Sequence, residues 1–352
     1  MKCYNKKKVL VIGHTGFKGS WLVNCLNYFN ADVYGISKKK INKSINYDST
    51  DVKKKLVKEF NFDVRNYGKL DKTISEIQPR FIFYLAAQSL VGKSYSDPHE
   101  TWTINFVGAL NLLEILKKKK FKNNLILITS DKCYKNVEKK SGYKEKDYLG
   151  GSDPYSASKS SVEILYKSYF DSYLKKMKNC QSATARAGNV IGGGDLSENR
   201  IIPDCIKSWK KNLTTEIRSP SSTRPWQHVL EPLNGYLMLG EYLDRNIFDG
   251  ESYNFGPSLK NSRSVKELIK EVKKNLINFK FKITDKKLFH EHGLLQLNCD
   301  KAKKKIKWKP KLSFKETVKF TTDWYIKYYN NSNMSDFTNY QIKEFFNYDK
   351  KI

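Results

Sequence analysis

Residues 7–20 read KKVLVIGHTGFKGS: an apolar run that ends in glycine, followed by two more glycines at three-residue spacing. The run 7–13 has the pattern of a parallel strand buried on both faces. Gly13, Gly16 and Gly19 follow, and behind them Trp21, Leu22, Cys25, Leu26 and Phe29 recur on one helix face. Strand, glycine turn and helix in that order make a dinucleotide-binding turn. Its glycines let the backbone approach a pyrophosphate, which sits at the helix N-terminus. The spacing is G-x-x-G-x-x-G rather than G-x-G-x-x-G, so the alternative is a purely structural bend. The place of the turn between strand and helix favours the cofactor.

The pattern repeats. Strands are expected at 32–36, before 61–65, at 81–87, at 124–130 and at 182–188, with helices between them. That alternation predicts an α/β fold with a doubly wound parallel sheet, followed by a smaller C-terminal α/β lobe. The expected divisions are a nucleotide-binding domain at 1–185, a partly interleaved substrate lobe at 186–330 and a tail at 331–352. The tail is rich in Asn, Ser, Tyr and Lys and either packs late or frays. Chemistry-bearing residues gather at strand carboxyl ends, where ligands bind in open α/β sheets. After the second strand stands Ser37, with lysines at 38–40, where a carboxylate normally marks NAD. The choice between NAD and NADP therefore stays open. Asp63 and Val64 fall where an adenine amine and ring are contacted. Leu85, Ala86 and Ala87 end the next strand, with Gln88 and Ser89 opening its loop. Together with Thr15 and Phe17 in the glycine turn, these complete the candidate cofactor contacts. The strand 124–130 ends in Ser130-Asp131-Lys132-Cys133-Tyr134, and the last strand leads into Asn189.

Between those two strands lies Tyr155-Ser156-Ala157-Ser158-Lys159, just after Pro154. Proline suits a helix start, and residues four apart share a helix face. A lysine charge beside a phenol is expected to lower the phenol's pKa from about 10 towards neutrality, giving a base for a hydroxyl proton. By itself the pair is also an ordinary solvent-facing helix; its position in the alternation gives it weight.

Composition excludes several alternatives. Apolar residues are 39% of the 352, enough for a core, and no run of about 18 could span a membrane. The short apolar stretch after the basic N-terminus is not a signal peptide, so a cytoplasmic protein is expected. Six cysteines and five histidines are scattered without metal spacing, so free thiols and no metal are expected. The formal net charge is +29. It is spread in short lysine runs with no nucleic-acid motif, so neither a nucleic-acid nor a membrane partner is expected, although the charge can draw in an anionic small substrate.

The glycine turn with Tyr155 and Lys159 resembles the extended short-chain dehydrogenase/reductase superfamily over nearly the whole chain. Within it the nucleotide-sugar 4,6-dehydratases look most similar. The words GHTGFKGSWL (13–22), SDKCY (130–134), YSASK (155–159) and RPWQHVLEPLNGYL (224–237) resemble the branch that works on CDP-glucose. The Asp-Lys pair at 131–132 fits that branch, where dTDP-glucose enzymes carry Asp-Glu and the epimerases lack the pair. The resemblance implies an NAD enzyme that oxidises sugar C4, eliminates water across C5–C6 and returns hydride to C6. Tyr155 and Lys159 would take the O4 proton, with Ser130 as hydroxyl partner. Asp131, protonated by burial, would release the 6-hydroxyl. Lys132 would be the C5 base if neutral, or steady the enolate if charged. Arg224 would hold the diphosphate, and Ser89, Ser130 and Asn189 would touch the sugar nucleotide. Trp226 either stacks on a base or fills the lobe, Arg186 binds ligand or pairs with a carboxylate, and His228 has no assigned role. The resemblance also implies a homo-oligomer, dimer or tetramer, paired through helices near 99–118 and 154–175. Two other readings remain: another sugar-nucleotide enzyme such as an epimerase, and a non-catalytic basic binding protein.

Overall fold

The computed structural model describes residues 1–38, 44–247, 250–258, 262–284 and 294–348. It opens with β1 (Lys8–Ile12), in which Val9, Leu10, Val11 and Ile12 are all fully buried. Successive side chains on a strand point to opposite faces, so this strand must be covered on both. Val9 and Val11 join one core cluster, Leu10 and Ile12 the other. The chain continues through α1 (Phe17–Tyr28), β2 (Asp32–Ser37), α2 (Ile45–Ser49), β3 (Lys58–Asn61), α3 (Tyr67–Ile77) and β4 (Phe81–Tyr84). Next come α4 (Val91–Ser96), α5 (Pro98–Trp102), α6 (Gly108–Leu116), β5 (Asn123–Ile128), α7 (Pro154–Ser172) and β6 (Cys180–Ala187). Then follow β7 (Val190–Ile191), α8 (Ile201–Lys210), β8 (Thr214–Ile217), β9 (Thr223–Arg224), β10 (Gln227–His228), α9 (Leu230–Asp244) and β11 (Glu251–Phe255).

Seven strands form one parallel sheet in the order β11-β6-β5-β4-β1-β2-β3. Strand order reverses between β1 and β4, which opens a crevice at their carboxyl ends. The glycine turn lies at one side of it and the loops after β4, β5 and β6 at the other. The doubly wound sheet expected from the alternation is therefore present. Its seventh strand, β11, was not anticipated.

The later part of the chain is built from short pairings. β12 (Arg263–Ser264) runs antiparallel to β9, β13 (Lys280–Ile283) parallel to β8, and β10 parallel to β7. The helices α10 (Val265–Asn275), α11 (Asp300–Lys305), α12 (Phe314–Tyr329) and α13 (Met334–Phe346) complete it. Serines cap α10 and α12 with capping boxes to Glu267 and Glu316. The tail residues 334–346 are thus a packed helix. Ile342 and Phe345 are fully buried, and Trp324 Nε1 donates to Thr338 Oγ1 at 2.9 Å.

Candidate active site

The three turn glycines do different work. Gly13 has φ +96°, and a Cβ there would lie 2.8 Å from Ala86 N. A Cβ on Gly19 would lie 2.1 Å from Gly13 O, so the first turn of α1 packs directly on the loop. A Cβ on Gly16 would meet nothing nearer than Gly13 O at 3.4 Å. Gly16 is also the N-cap of α1 and has no side-chain cap. Packing within the chain thus demands glycine at 13 and 19, while Gly16 leaves an open seat beneath uncapped helix N–H groups. That seat fits a dinucleotide pyrophosphate. Thr15 is buried, its Oγ1 2.6 Å from Ser37 Oγ, and half-buried Phe17 stands beside Gly192. Leu85 and Ala86 back Gly13, and Ala87 follows, half-buried.

The adenine side is less open than expected. Asp63 is forked to Arg65, at 3.0 Å to Nε and 2.7 Å to a terminal nitrogen. Arg65 holds its carboxyl below the usual range. Val64 is turned into the core, where a Cβ on Gly108 would meet it at 2.7 Å. Lys38 reaches Asp63 and Glu100, each at 3.7 Å. Lys39 and Lys40 lie outside the described residues.

The groups expected to do chemistry converge. α7 starts on Asp153, whose side chain accepts from Ser156 N at 2.9 Å, with Pro154 in the first turn. This cap sets the first turn that carries Tyr155, with Lys159 one turn on. Both are buried, as are Ser130 and Asp131. Ser130 neighbours Tyr155, and Ser130 Oγ lies 2.9 Å from Asp131 Oδ1. Asp131 Oδ2 has no hydrogen-bond partner among the described residues. Burial pushes the Asp131 carboxyl up, against Lys132, Ser130 and Lys18, which favours the protonated form needed to release a hydroxyl. Lys132 is half-buried beside it.

One expectation is corrected here. Burial pushes the Tyr155 phenol up to about 12, and neighbouring Ser130 only partly offsets it. Lys159 is not among the strongest influences on Tyr155. It is itself brought down to about 8 by burial and by Lys18. Sequence spacing placed both groups correctly but gave no measure of how dry their surroundings are.

The substrate candidates divide. A Cβ on Gly188 would stand 3.2 Å from Asp131 Oδ2 and 3.6 Å from Pro225 Cγ, so the Arg224–Pro225 segment reaches the loop of Asp131. Asn189 sits between, half-buried, its carbonyl accepting from Gln227 N at 3.3 Å. Arg224 lies on β9 directly across from Arg263 on β12. Ser89 is exposed on the loop after β4. Trp226 is buried and donates to Arg263 O at 3.1 Å, which makes it a core residue. Arg186 pairs with Glu163 at 2.7 Å and faces no crevice. His228 is buried edge-on against Trp21, and burial brings its pKa down to about 3, so it is a neutral packing residue.

A residue without an assigned role proves central to the site's framework. Asn105 lies in a π-helical turn, Thr103–Val107, between α5 and α6. Its amide accepts from Gln88 N and donates to Ser158 Oγ, both at 2.8 Å. It ties the loop after β4 to the helix of Tyr155 and Lys159. An isolated Asn in a helical run gives no sequence signal for this. Among the described residues, no group of three or more His, Cys, Asp or Glu is placed to hold a metal.

The sequence profile of GDP-mannose 4,6 dehydratase matches residues 10–321. The chain belongs to that family. A family relative, the CDP-glucose 4,6-dehydratase of Salmonella typhimurium, is 37% identical over 326 residues, covering 91% of this chain and 90% of that protein. The UDP-glucose 4-epimerase of Mycoplasma genitalium is 24% identical, covering 93% and 98%. Among solved structures, dTDP-glucose 4,6-dehydratase from Bacillus anthracis in complex with NAD superposes with a TM-score of 0.76 at 21% identity, over 93% of this chain and 98% of that one. An epimerase from Methanothermobacter thermautotrophicus gives 0.81 at 21%, over 94% and 95%. At such identities the structural likeness shows the fold. This family member keeps Ser130, Asp131, Tyr155 and Lys159 within one buried centre.

Proposed function

We propose that this chain is a CDP-glucose 4,6-dehydratase that forms CDP-4-dehydro-6-deoxy-D-glucose and water, with NAD as cofactor. The observation that carries the reading is Asp131: a buried carboxyl biased towards its protonated form, one oxygen bonded to Ser130, which neighbours the phenol of Tyr155, and the other without a partner among the described residues. An epimerase needs the phenol but has no use for a proton donor to a leaving hydroxyl. The relative from Salmonella typhimurium supplies the nucleotide.

Gly13, Thr15, Gly16, Phe17, Gly19, Leu85, Ala86 and Ala87 seat the cofactor, with Asp63 and Val64 on its adenine side. Bound NAD would supply a hydride acceptor for C4, later a hydride for C6, and a positive charge. Tyr155 takes the O4 proton as C4 becomes a ketone, and Ser130 holds O4. The ketone makes the C5 proton acidic. Lys132 is placed to take that proton as a neutral amine, or to steady the resulting enolate as a cation. Asp131 then donates its proton to O6, which departs as water, and as hydride returns to C6 a proton is restored to C5. Arg224 grips the diphosphate with its planar fork, and Asn189 and Ser89 border the sugar nucleotide.

The expected assembly is a homo-oligomer paired on α5–α7, where Ile164 and Trp102 stand exposed, in the cytoplasm. Light scattering on wild type and Ile164→Lys tests the pairing: a shift to monomer only in the variant is expected, and an unchanged mass contradicts it. Among the described residues no helix is long and apolar enough to cross a membrane.

Purified protein incubated with NAD and CDP-glucose, in parallel with UDP-, GDP- and dTDP-glucose, tests the function through the alkali-induced absorbance of the 4-keto-6-deoxy sugar. Signal with CDP-glucose alone is expected. Signal with another nucleotide alone overturns the substrate, and silence with all four overturns the reaction.

A further inference from the structure

Beneath the catalytic groups lies a buried carboxylate for which the reaction has no step. Glu163 is one turn beyond Lys159 on α7 and only 1% exposed at its side chain. One oxygen accepts from Thr129 Oγ1, on the residue directly before Ser130. The other accepts from Arg186 at 2.7 Å and Thr184 Oγ1 at 2.9 Å, both on β6, with Ser252 Oγ of β11 at 3.3 Å. Arg186 in turn donates to Tyr134 Oη at 2.7 Å and to Glu145 O at 3.1 Å. Burial works against the charge on Glu163, yet Arg186 and the hydroxyls hold its carboxyl below the usual range. The Thr129, Thr184 and Ser252 hydroxyls and one terminal nitrogen of Arg186 thus converge on an ionised acceptor.

We infer that Glu163 is a positioning residue of the active centre, fixing the Ser130-Asp131 loop through Thr129 and holding a negative charge one turn below Lys159. The inference rests on the dehydratase reading for its steps, and on the hydrogen bonds alone for its geometry. The loop is tied to α7 at a second point, Ser160 Oγ to Cys133 O at 2.7 Å, but that tie lies beyond Asp131. Thr129 is the anchor on the near side. Lys159 is faced by Lys18 from α1, by Cys133 from the loop after β5 and by Glu163 from its own helix. Of these, Lys18 and burial disfavour the ammonium, and Glu163 favours it.

Two variants separate the two roles. Thr129→Val keeps shape and the Glu163–Arg186 pair but removes the anchor. It is expected to lower kcat about tenfold with KM within about twofold, and to let reduced-nicotinamide absorbance build up because elimination slows more than oxidation. Glu163→Gln removes the charge. The alkaline limb of kcat/KM, set by loss of the Lys159 proton, is expected to move about one pH unit lower. Thr129→Val keeps the charge and leaves that limb in place. If Glu163→Gln does not fold, Glu163→Gln with Arg186→Met leaves no lone buried charge and reports the same limb. Wild-type kcat in Thr129→Val, or an unmoved limb in the charge-removed variant, overturns the inference. Wild-type protein inactive on CDP-glucose counts against the function instead. Amide exchange then decides: faster exchange in residues 129–134 of Thr129→Val is expected, and unchanged exchange overturns the anchor.

Discussion

Tyr155 and Lys159 are driven in opposite directions by the same cause. Burial removes water from both, so the phenol holds its proton up to about 12 and the ammonium gives up its proton at about 8. The free chain therefore keeps Tyr155 protonated at neutral pH, and on the proposed mechanism the positive charge of bound NAD would bring it down. A phenolate difference titration is expected to show a lower midpoint for Tyr155 with NAD than without, the Tyr155→Phe protein serving as blank. An unchanged midpoint would contradict this. Tyr155→Phe itself is expected to reduce turnover about 10²- to 10⁴-fold with little change in the melting curve. On the proposed mechanism Lys159 acts as the cation, present below about pH 8 and lost above it, so kcat/KM of wild type is expected to fall as pH rises through about 8. Identity and spacing of these residues were legible in the sequence. Their dryness was not, because it is made by chain segments far away in sequence. The partner of Arg186 was hidden for the same reason: Glu163 reads as one more polar residue on a helix until β6 is laid against α7.

At the scale of elements, the glycine turn was readable because local geometry dictates it: a backbone at φ +96° and a helix packed on a loop both select glycine. The turn also makes a discriminating pair. Gly19→Ala, whose Cβ would collide with Gly13 O, is expected to destabilise the protein measurably in a thermal melt. Gly16→Ala is expected to melt like wild type yet bind NAD about tenfold more weakly, about 1.4 kcal/mol, by calorimetry. Equal melting losses, or wild-type NAD affinity in Gly16→Ala, would contradict the division of labour. The helix expected at 99–118 carries a π-helical turn around Asn105. Side-chain periodicity hardly registers one extra residue in a turn, so the device that links Gln88 to Ser158 stayed invisible.

At the scale of the whole molecule, the first half was legible and the second only in part. Strands buried on both faces announce themselves as apolar runs, whereas β11 (ESYNF) has only its end buried and reads as loop. The tail's polar composition left packing and fraying both open, and the helix packs. Its few apolar residues are spaced to meet α1 and α12, with Phe346 4.8 Å from Phe29. Burial of Ile342 and Phe345 is worth about 1.5–3 kcal/mol each. Truncation after residue 330 is therefore expected to lower the thermal midpoint sharply, and an unchanged midpoint would contradict the docked helix. The excess positive charge leaves its own signature: kcat/KM for an anionic nucleotide sugar is expected to fall with ionic strength while kcat holds. The most direct test of the central claim follows the hydrogen itself. CDP-glucose carrying deuterium at C4 is incubated with enzyme and unlabelled NAD, and the product is read by NMR. Deuterium in the new methyl group at C6 is the expected result. Deuterium retained at C4 with an inverted hydroxyl, or lost to solvent, would contradict a single site that oxidises, eliminates and reduces.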